Sequence, residues 1–442
     1  MNKEKNIVST IISASWLFTA NGQDQLLENQ SIVINDGVII DILDSADVFE
    51  RYQASDVYQL TNQLLIPGLI NAHSHLAMSL LKGYADDHAL SVWLNEHIWP
   101  AEKKFVSPQF VSDGSRLAMV EMLKGGITTF NDMYFYPQST AEVATEIGMR
   151  ANIGLVVLDF PTNYANDPQD YLNKGFNFRD EWRNNSLISS SIAPHAPYSV
   201  SDAAFKLITT YAEQLQMTIH THLHETSAEI KESMQNFNMS PIQRLDLLGV
   251  LGPNLMAAHC VHLEDMDIQL LEKNQVSVIH NPSSNMKLGS GVANIKDLFK
   301  KGINICLGTD SSASNNRLDI ITEMRTTLLL HKGINQDAEF LKPIDVIKMA
   351  TINAAKAMGL DSKIGSIEIG KRADITAINL DSIDCQPCFD PLSSFVYSAD
   401  KSSVSHVWIE GAIKIRKHLL VNIDEDKLLH TTKLWHQKIQ TI

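Results

Sequence analysis

Residues 64–75 read LLIPGLINAHSH. An apolar, strand-like run, interrupted only by a Pro-Gly step, ends in two histidines one residue apart. On a strand, residues i and i+2 point to the same side, so His73 and His75 can bring both imidazoles to one point. Downstream the same texture recurs at 127–131, 153–158, 187–193, 217–222, 255–259, 276–280 and 303–308. Helix-like stretches such as 108–124, 201–215 and 264–273 lie between most of them. With 64–72 this makes eight strands in one run, which suits a closed parallel barrel, although a doubly wound open sheet has the same local texture.

The polar residues favour the barrel. The segment 220–225 reads HTHLHE, Ala257-Ala258-His259-Cys260 ends another apolar strand, and 304–310, NICLGTD, ends a third in an aspartate. Singly these are ordinary, because a strand-terminal Asp more often caps the next helix. His220 reads as a buried structural residue one level down, and His224 as a loop neighbour. His222 and Glu225 span the strand end, so a ligand and a proton-transferring carboxylate can converge there. Taken together, His73, His75, His222, Glu225, His259 and Asp310 fall at the ends of the first, fifth, sixth and eighth strands. In a barrel those ends share the face that carries active sites. Imidazoles with one carboxylate and room for water make a catalytic metal site, not a structural one. Such a metal makes hydroxide available near neutral pH; zinc is favoured, with iron, nickel and manganese using similar ligands.

The flanks read differently. Residues 7–65 and 364–422 are rich in strand and turn signals: SIVINDGVIIDI at 31–42 is a hairpin around Asn35-Asp36-Gly37, Gly370-Lys371-Arg372 reads as a turn, and Glu410-Gly411 divides 406–415. Two β-rich ends suggest one small domain built from both termini, a pairing that periodicity alone leaves open. The stretch 7–18, broken by Ser9, Thr10, Ser13 and Ser15, reads as an edge strand and not as a signal peptide. With 442 residues, 44% hydrophobic and 20% charged, the chain can bury a large core. A net charge of −15 argues against nucleic acid or an anionic membrane as partner. No run reaches the ~18 apolar residues of a membrane span, so a cytoplasmic protein is expected. Four Cys against 16 His argue against a disulfide scaffold. The pair His262-Leu263-Glu264 and Cys385-Gln386-Pro387-Cys388 imitates a zinc cytidine-deaminase signature. It lacks the proline before the first cysteine, and several strands separate its halves, so free thiols are the expectation.

The motifs LIPGLINAHSHL (65–76), HLHE (222–225), AAHCVHL (257–263), HNPSSNMKLGSG (280–291) and GTDSSASNN (308–316) resemble the amidohydrolase superfamily, in its metal-dependent deaminase branch. Within that branch, WLNEHIWPAE (93–102), Gly148-Met149-Arg150 and APHAPY (193–198) are similar to the 5-methylthioadenosine/S-adenosylhomocysteine deaminases. The resemblance implies a (β/α)8 TIM-type barrel over 65–365, with a β-sandwich from 1–64 plus 366–442. It implies that His73, His75, His222 and Asp310 bind one divalent ion per subunit, most simply Zn2+. Binuclear relatives carry a bridging lysine on the fourth strand, and no Lys occurs between 187 and 200. Glu102 would hold the ribose hydroxyls, and Arg150 and His195 would contact substrate. Asp310 would take a proton from the attacking water, His259 would orient that water, and Glu225 would protonate N1 of an adenine ring. A further substrate arginine of some members has no clear counterpart, leaving Arg179 or Arg183 as stand-ins.

The implied activity is hydrolytic deamination of 5-methylthioadenosine or S-adenosylhomocysteine, or of adenosine or 5-deoxyadenosine, releasing ammonia. The alternative is a sister hydrolase of another heteroaromatic ring (guanine, a pterin or a triazine), which would have no need of Glu102. A non-catalytic scaffold would be expected to have lost ligands, and all are present. The expected partners are a small nucleoside and further copies of the chain, as a dimer or tetramer.

Overall fold

The chain changes sheets at Gly68. In the computed structural model, which describes residues 5–23 and 25–441, the first four strands are β1 (Asn6–Phe18), β2 (Leu26–Asn35), β3 (Val38–Asp44) and β4 (Tyr52–Pro67). The next eight are β5 (Leu69–Ser74), β6 (Ile127–Tyr134), β7 (Arg150–Val157), β8 (Ile188–Pro194), β9 (Ile219–Leu223), β10 (Leu255–His259), β11 (Ser277–His280) and β12 (Ile305–Leu307). Four more follow: β13 (Ile375–Asn379), β14 (Val404–Ile409), β15 (Ala412–Arg416) and β16 (Leu419–Leu420). Gly68 donates its N–H to the Asp374 carbonyl at 2.9 Å. A Cβ on it would overlap the Thr128 side chain, so β4 can pass straight into β5 only through glycine.

Strands β5 to β12 pair in sequence order, each neighbour parallel. The seam between β12 and β5 is closed by the Asp310 N–H on the His73 carbonyl at 2.9 Å. Asn71 reinforces it, accepting from Thr309 N at 3.0 Å and donating to Thr309 Oγ1 at 2.7 Å. This closure decides for the barrel over the open sheet. Helices Pro108–Lys124, Asp202–Leu215 and Asp265–Lys273 fall where apolar periodicity puts them. Ser107 and Ser201 start the first two by accepting the N–H of Phe110 and Ala204. Strand residues are buried on both faces, as a helix-covered parallel sheet requires.

The terminal sheet has the order β16-β15-β14-β13-β4-β1-β2-β3, so both chain ends contribute to it. Its hairpin turns at Asp36-Gly37 with φ of 50° and 76°, the mirror-image turn that suits strand twist. Strand β1 is not an edge strand: it lies between β4 and β2. The serines that suggested an edge are satisfied inside the sheet, Ser13 against Ser31 at 2.7 Å and Ser9 on the Ile34 carbonyl at 2.8 Å. The sheet folds back on itself where Val38 bridges Arg372, enclosing Ile12, Ile32, Ile34, Leu65, Ile375 and Trp408. Among the described residues no helix is long and apolar enough to cross a membrane.

Candidate active site

The site lies at the carboxyl ends of the barrel strands. His73 lies in β5, one residue before its end, and His75 follows the strand; His222 lies in β9, and Asp310 follows β12. Two hydrogen bonds fix how the rings face. His75 Nδ1 meets the Met133 carbonyl at 2.6 Å, and His222 Nδ1 meets the His195 carbonyl at 2.7 Å. A carbonyl only accepts, so each Nδ1 carries its hydrogen and each Nε2 turns a lone pair inward. Those two Nε2 atoms stand 3.2 Å apart. Asp310 Oδ1 lies 3.2 Å from His75 Nε2 and 3.3 Å from His73 Nε2. The His73 Nε2 atom is buried and has no hydrogen-bond partner. One donor atom from each of the four residues lies within 4.8 Å of the others. Lone pairs and a carboxylate oxygen crowded together, one buried nitrogen left unmatched, fit a divalent cation and little else.

Below the ligands, His73 Nδ1 meets His220 Nε2 at 2.9 Å, and Asn131 Nδ2 approaches His220 Nδ1 at 3.2 Å. His220 is fully buried, one level down, in the structural role expected of it. The Gly308 backbone passes so close that a Cβ there would lie 2.8 Å from His73 Cβ. Ser284 and Ser314 donate to Asp310 Oδ2 at 2.6 and 2.7 Å, which turns Oδ1 toward the histidines. Burial would raise the Asp310 carboxyl, but the His73 and His75 imidazoles beside it outweigh that and hold it well below the usual range. Four residues at these strand ends have left-handed backbones: His224 (φ 54°), His259 (76°), Cys260 (47°) and Asp310 (62°). Non-glycine residues adopt that conformation uncommonly, and it concentrates at functional sites.

Glu225 and His259 stand beside this cluster. His259 Nδ1 pairs with Asn285 Oδ1 at 2.8 Å, and its Nε2 lies 3.9 Å from Glu225 Oε2. Burial raises the Glu225 carboxyl, opposed by the nearby His259. His195, after β8, is held by Ser199 Oγ at 2.9 Å, and burial pushes its imidazole down to about 3. Glu225, His259 and His195, together with His75, His222 and Asp310, line a cavity of about 520 Å³. Its far wall is apolar, with Trp93, Leu94, Trp99, Phe135, Leu158 and Phe160, and the helix Trp99–Phe105 brings Glu102 into it. Tyr134 donates to Glu102 Oε1 at 2.6 Å, which leaves Oε2 for a ligand.

Arg150 is not in this cavity, contrary to the expectation that it contacts substrate. It is the first residue of β7, at the opposite end of the barrel, and is 3% exposed. There it meets Asp374 at 2.7 and 3.2 Å, Glu410 at 3.2 Å and the Ser186 carbonyl at 2.8 Å. Arg179 and Arg183 line a small cavity at that same end, so neither replaces it. Cys385 and Cys388 are free thiols as expected, and His262 Nε2 pairs with the Ser290 carbonyl. Sequence reasoning gave no role to Tyr134, Ser284, Asn285 or Ser314. The last three lie in the motifs 280–291 and 308–316, which is the one signal that could have found them.

A model of the amidohydrolase family matches residues 64–414. Over 436 residues the chain is 44% identical to a 5-methylthioadenosine/S-adenosylhomocysteine deaminase of Saccharophagus degradans, covering 99% of this chain and 98% of that one. It is 38% identical to a 5'-deoxyadenosine deaminase of Methanosphaera stadtmanae, over 93% of this chain and 96% of the other. Among solved structures, an adenosine deaminase from Xanthomonas campestris with bound zinc superposes with a TM-score of 0.98 at 38% identity, covering 99% of this chain and 100% of that one.

Proposed function

The chain belongs to the amidohydrolase family, and from that premise we propose that it hydrolyses the 6-amino group of adenine nucleosides, 5-methylthioadenosine and S-adenosylhomocysteine foremost, releasing ammonia. The observation that carries the nucleoside reading is Glu102. A carboxylate with one oxygen tied to Tyr134 and the other open to the cavity is placed to accept the two ribose hydroxyls. The apolar wall beyond it suits the thioether end of such a substrate. A free base would use neither feature.

His73, His75, His222 and Asp310 would hold the metal, read as a single zinc ion because β8 carries no lysine to bridge two. When bound, the ion supplies the Lewis acidity that makes water a nucleophile near neutral pH. The chain's own groups do the rest. His259, anchored by Asn285, turns Nε2 toward the attacking water and orients it. Asp310 takes one proton from that water as its oxygen bonds to C6, while Glu225 delivers a proton to N1. Burial keeps Glu225 protonated to higher pH than usual, which is the state a donor needs. The C6–amino bond then breaks. The amine takes the proton from Asp310 and leaves as ammonia, and the C6 hydroxyl returns its proton to Glu225, leaving the 6-oxo ring. His195 donates or accepts at the ring edge. The same reading keeps residues 65–365 as the catalytic unit and 1–64 with 366–442 as its flank. It also expects a cytoplasmic dimer or tetramer, for which Ile383 and Phe389, both over 90% exposed, offer apolar surface.

The test is ammonia release by zinc-loaded protein offered 5-methylthioadenosine, S-adenosylhomocysteine, adenosine, 5'-deoxyadenosine, guanine and a triazine. Nucleoside turnover that is lost to a chelator and restored by zinc supports the reading. Turnover of guanine or a triazine alone replaces it with the sister reaction.

A further inference from the structure

Glu229 is 6% exposed, does not line the substrate cavity, and has no part in the chemistry above. It stands in the first turn of the helix Ser227–Phe237, which follows β9. Its carboxylate reaches back to the strand end: Oε1 accepts the N–H of His224 at 3.2 Å, and Oε2 accepts that of Glu225 at 2.9 Å. The left-handed backbone at His224 (φ 54°) is what points these two successive N–H groups the same way. Such a pair forms a concave anion-binding nest. Thr226 Oγ1, accepting the Glu229 N–H at 3.3 Å, fixes the helix start from which the carboxylate reaches. One side chain therefore grips the two successive peptide N–H groups that flank His224 and aim Glu225. Burial pushes Glu229 up to about 8, even against these donors, so a glutamate here is costly to keep.

We infer that Glu229 is a positioning residue for the proton shuttle: it acts through Glu225, by clamping the 224–225 peptide, without touching substrate. The inference rests on the role proposed for Glu225. A reacting group displaced by 1 Å can cost as much as ~10²-fold in rate. Glutamine at 229 keeps one acceptor but turns an amide N–H2 against the other N–H, and a loss of about 10-fold is expected from that partial release.

The test is a double-mutant cycle on the zinc-loaded full chain, with kcat and KM for 5-methylthioadenosine measured in wild type, E229Q, E225Q and E225Q/E229Q. The expected result is a kcat lower by about 10-fold in E229Q, with KM within about twofold and metal content unchanged. In the E225Q background the same change should alter kcat by less than about twofold, because the group it positions is already gone. Equal losses in both backgrounds, or an unchanged kcat in E229Q, would overturn the inference. Should E229Q lose zinc or fail to fold, E229D carries the same cycle: it keeps the carboxyl group and loses the reach. If E225Q itself keeps full activity, the proposed role of Glu225 fails first. Additivity alone removes only the role of Glu229.

Discussion

At the foot of the barrel, Arg150 is buried with Asp374, Glu410 and the Ser186 carbonyl arrayed around its guanidinium. At the opposite face, four side chains of similar burial point donor atoms at one another, and one of those atoms has no hydrogen-bond partner. The foot has its charges matched inside the protein: burial opposes the Arg150 charge, but Asp374 and Glu410 outweigh it and hold the guanidinium protonated. The upper face leaves its lone pairs for something brought from outside. The backbone repeats the contrast, with left-handed residues at His224, His259 and Asp310. Burial and charge do not by themselves separate an active site from a structural clamp; completeness of pairing does.

The sharpest way to break that contrast is at the upper face. Glu225→Gln should lower kcat by ~10²–10⁴-fold while zinc content and melting temperature stay near wild type; steady-state assay with metal analysis checks it. Arg150→Ala should do the reverse. Removing one partner of a buried ion pair strands the other's charge and costs ~3–5 kcal/mol, so denaturant unfolding should show a large loss while kcat per folded molecule is nearly unchanged. A large rise in KM there, with stability intact, would restore Arg150 to the substrate. Glu102→Ala removes a charged hydrogen-bond acceptor worth ~1.5–3 kcal/mol, an expected loss of about 10- to 10²-fold in kcat/KM for nucleosides. Any residual turnover of adenine itself should not change.

The smallest effect concerns Glu323, whose carboxylate accepts the Ser283 N–H at 3.2 Å and the Asn315 amide at 2.8 Å, joining the two short helices that carry Ser284 and Ser314. Burial pushes it up to about 7 from an ordinary value of 4.5. Between those values the folded state holds a proton that the unfolded state has lost, so its contribution is present at lower pH and fades as pH rises. Wild type should therefore lose a few degrees of melting temperature across that window relative to E323Q. Parallel melting curves would contradict this.

Much of this was legible in sequence because strand and helix periods are local. The helix Pro108–Lys124 and the Asp36-Gly37 turn follow from their own residues. So does the convergence of His73, His75, His222 and Asp310, since strand ends on one barrel face meet wherever they sit in the chain. What failed was what local pattern does not encode. The resemblance carried by Gly148-Met149-Arg150 implies a substrate contact for Arg150, but a residue that opens a strand lies at the foot of a barrel, away from the cavity. The serines of β1 read as an edge because their partners, Ser31 and the Ile34 carbonyl, come from another strand. Tyr134 on Glu102 joins segments more than one element apart, and Asn285 reaches His259 from the short helix Pro282–Lys287. No single-sequence spacing predicts either contact.

One measurement bears most directly on the upper face as the catalytic centre: single-turnover conversion of 5-methylthioadenosine by zinc-loaded protein, followed as the adenine absorbance gives way to that of the 6-oxo ring. The predicted result is conversion with one ammonia released per ring, slowed by ~10²-fold or more in Glu225→Gln with zinc retained and preserved in refolded Arg150→Ala. Conversion as fast in Glu225→Gln as in wild type, or its loss in a fully folded, zinc-loaded Arg150→Ala, would contradict the account.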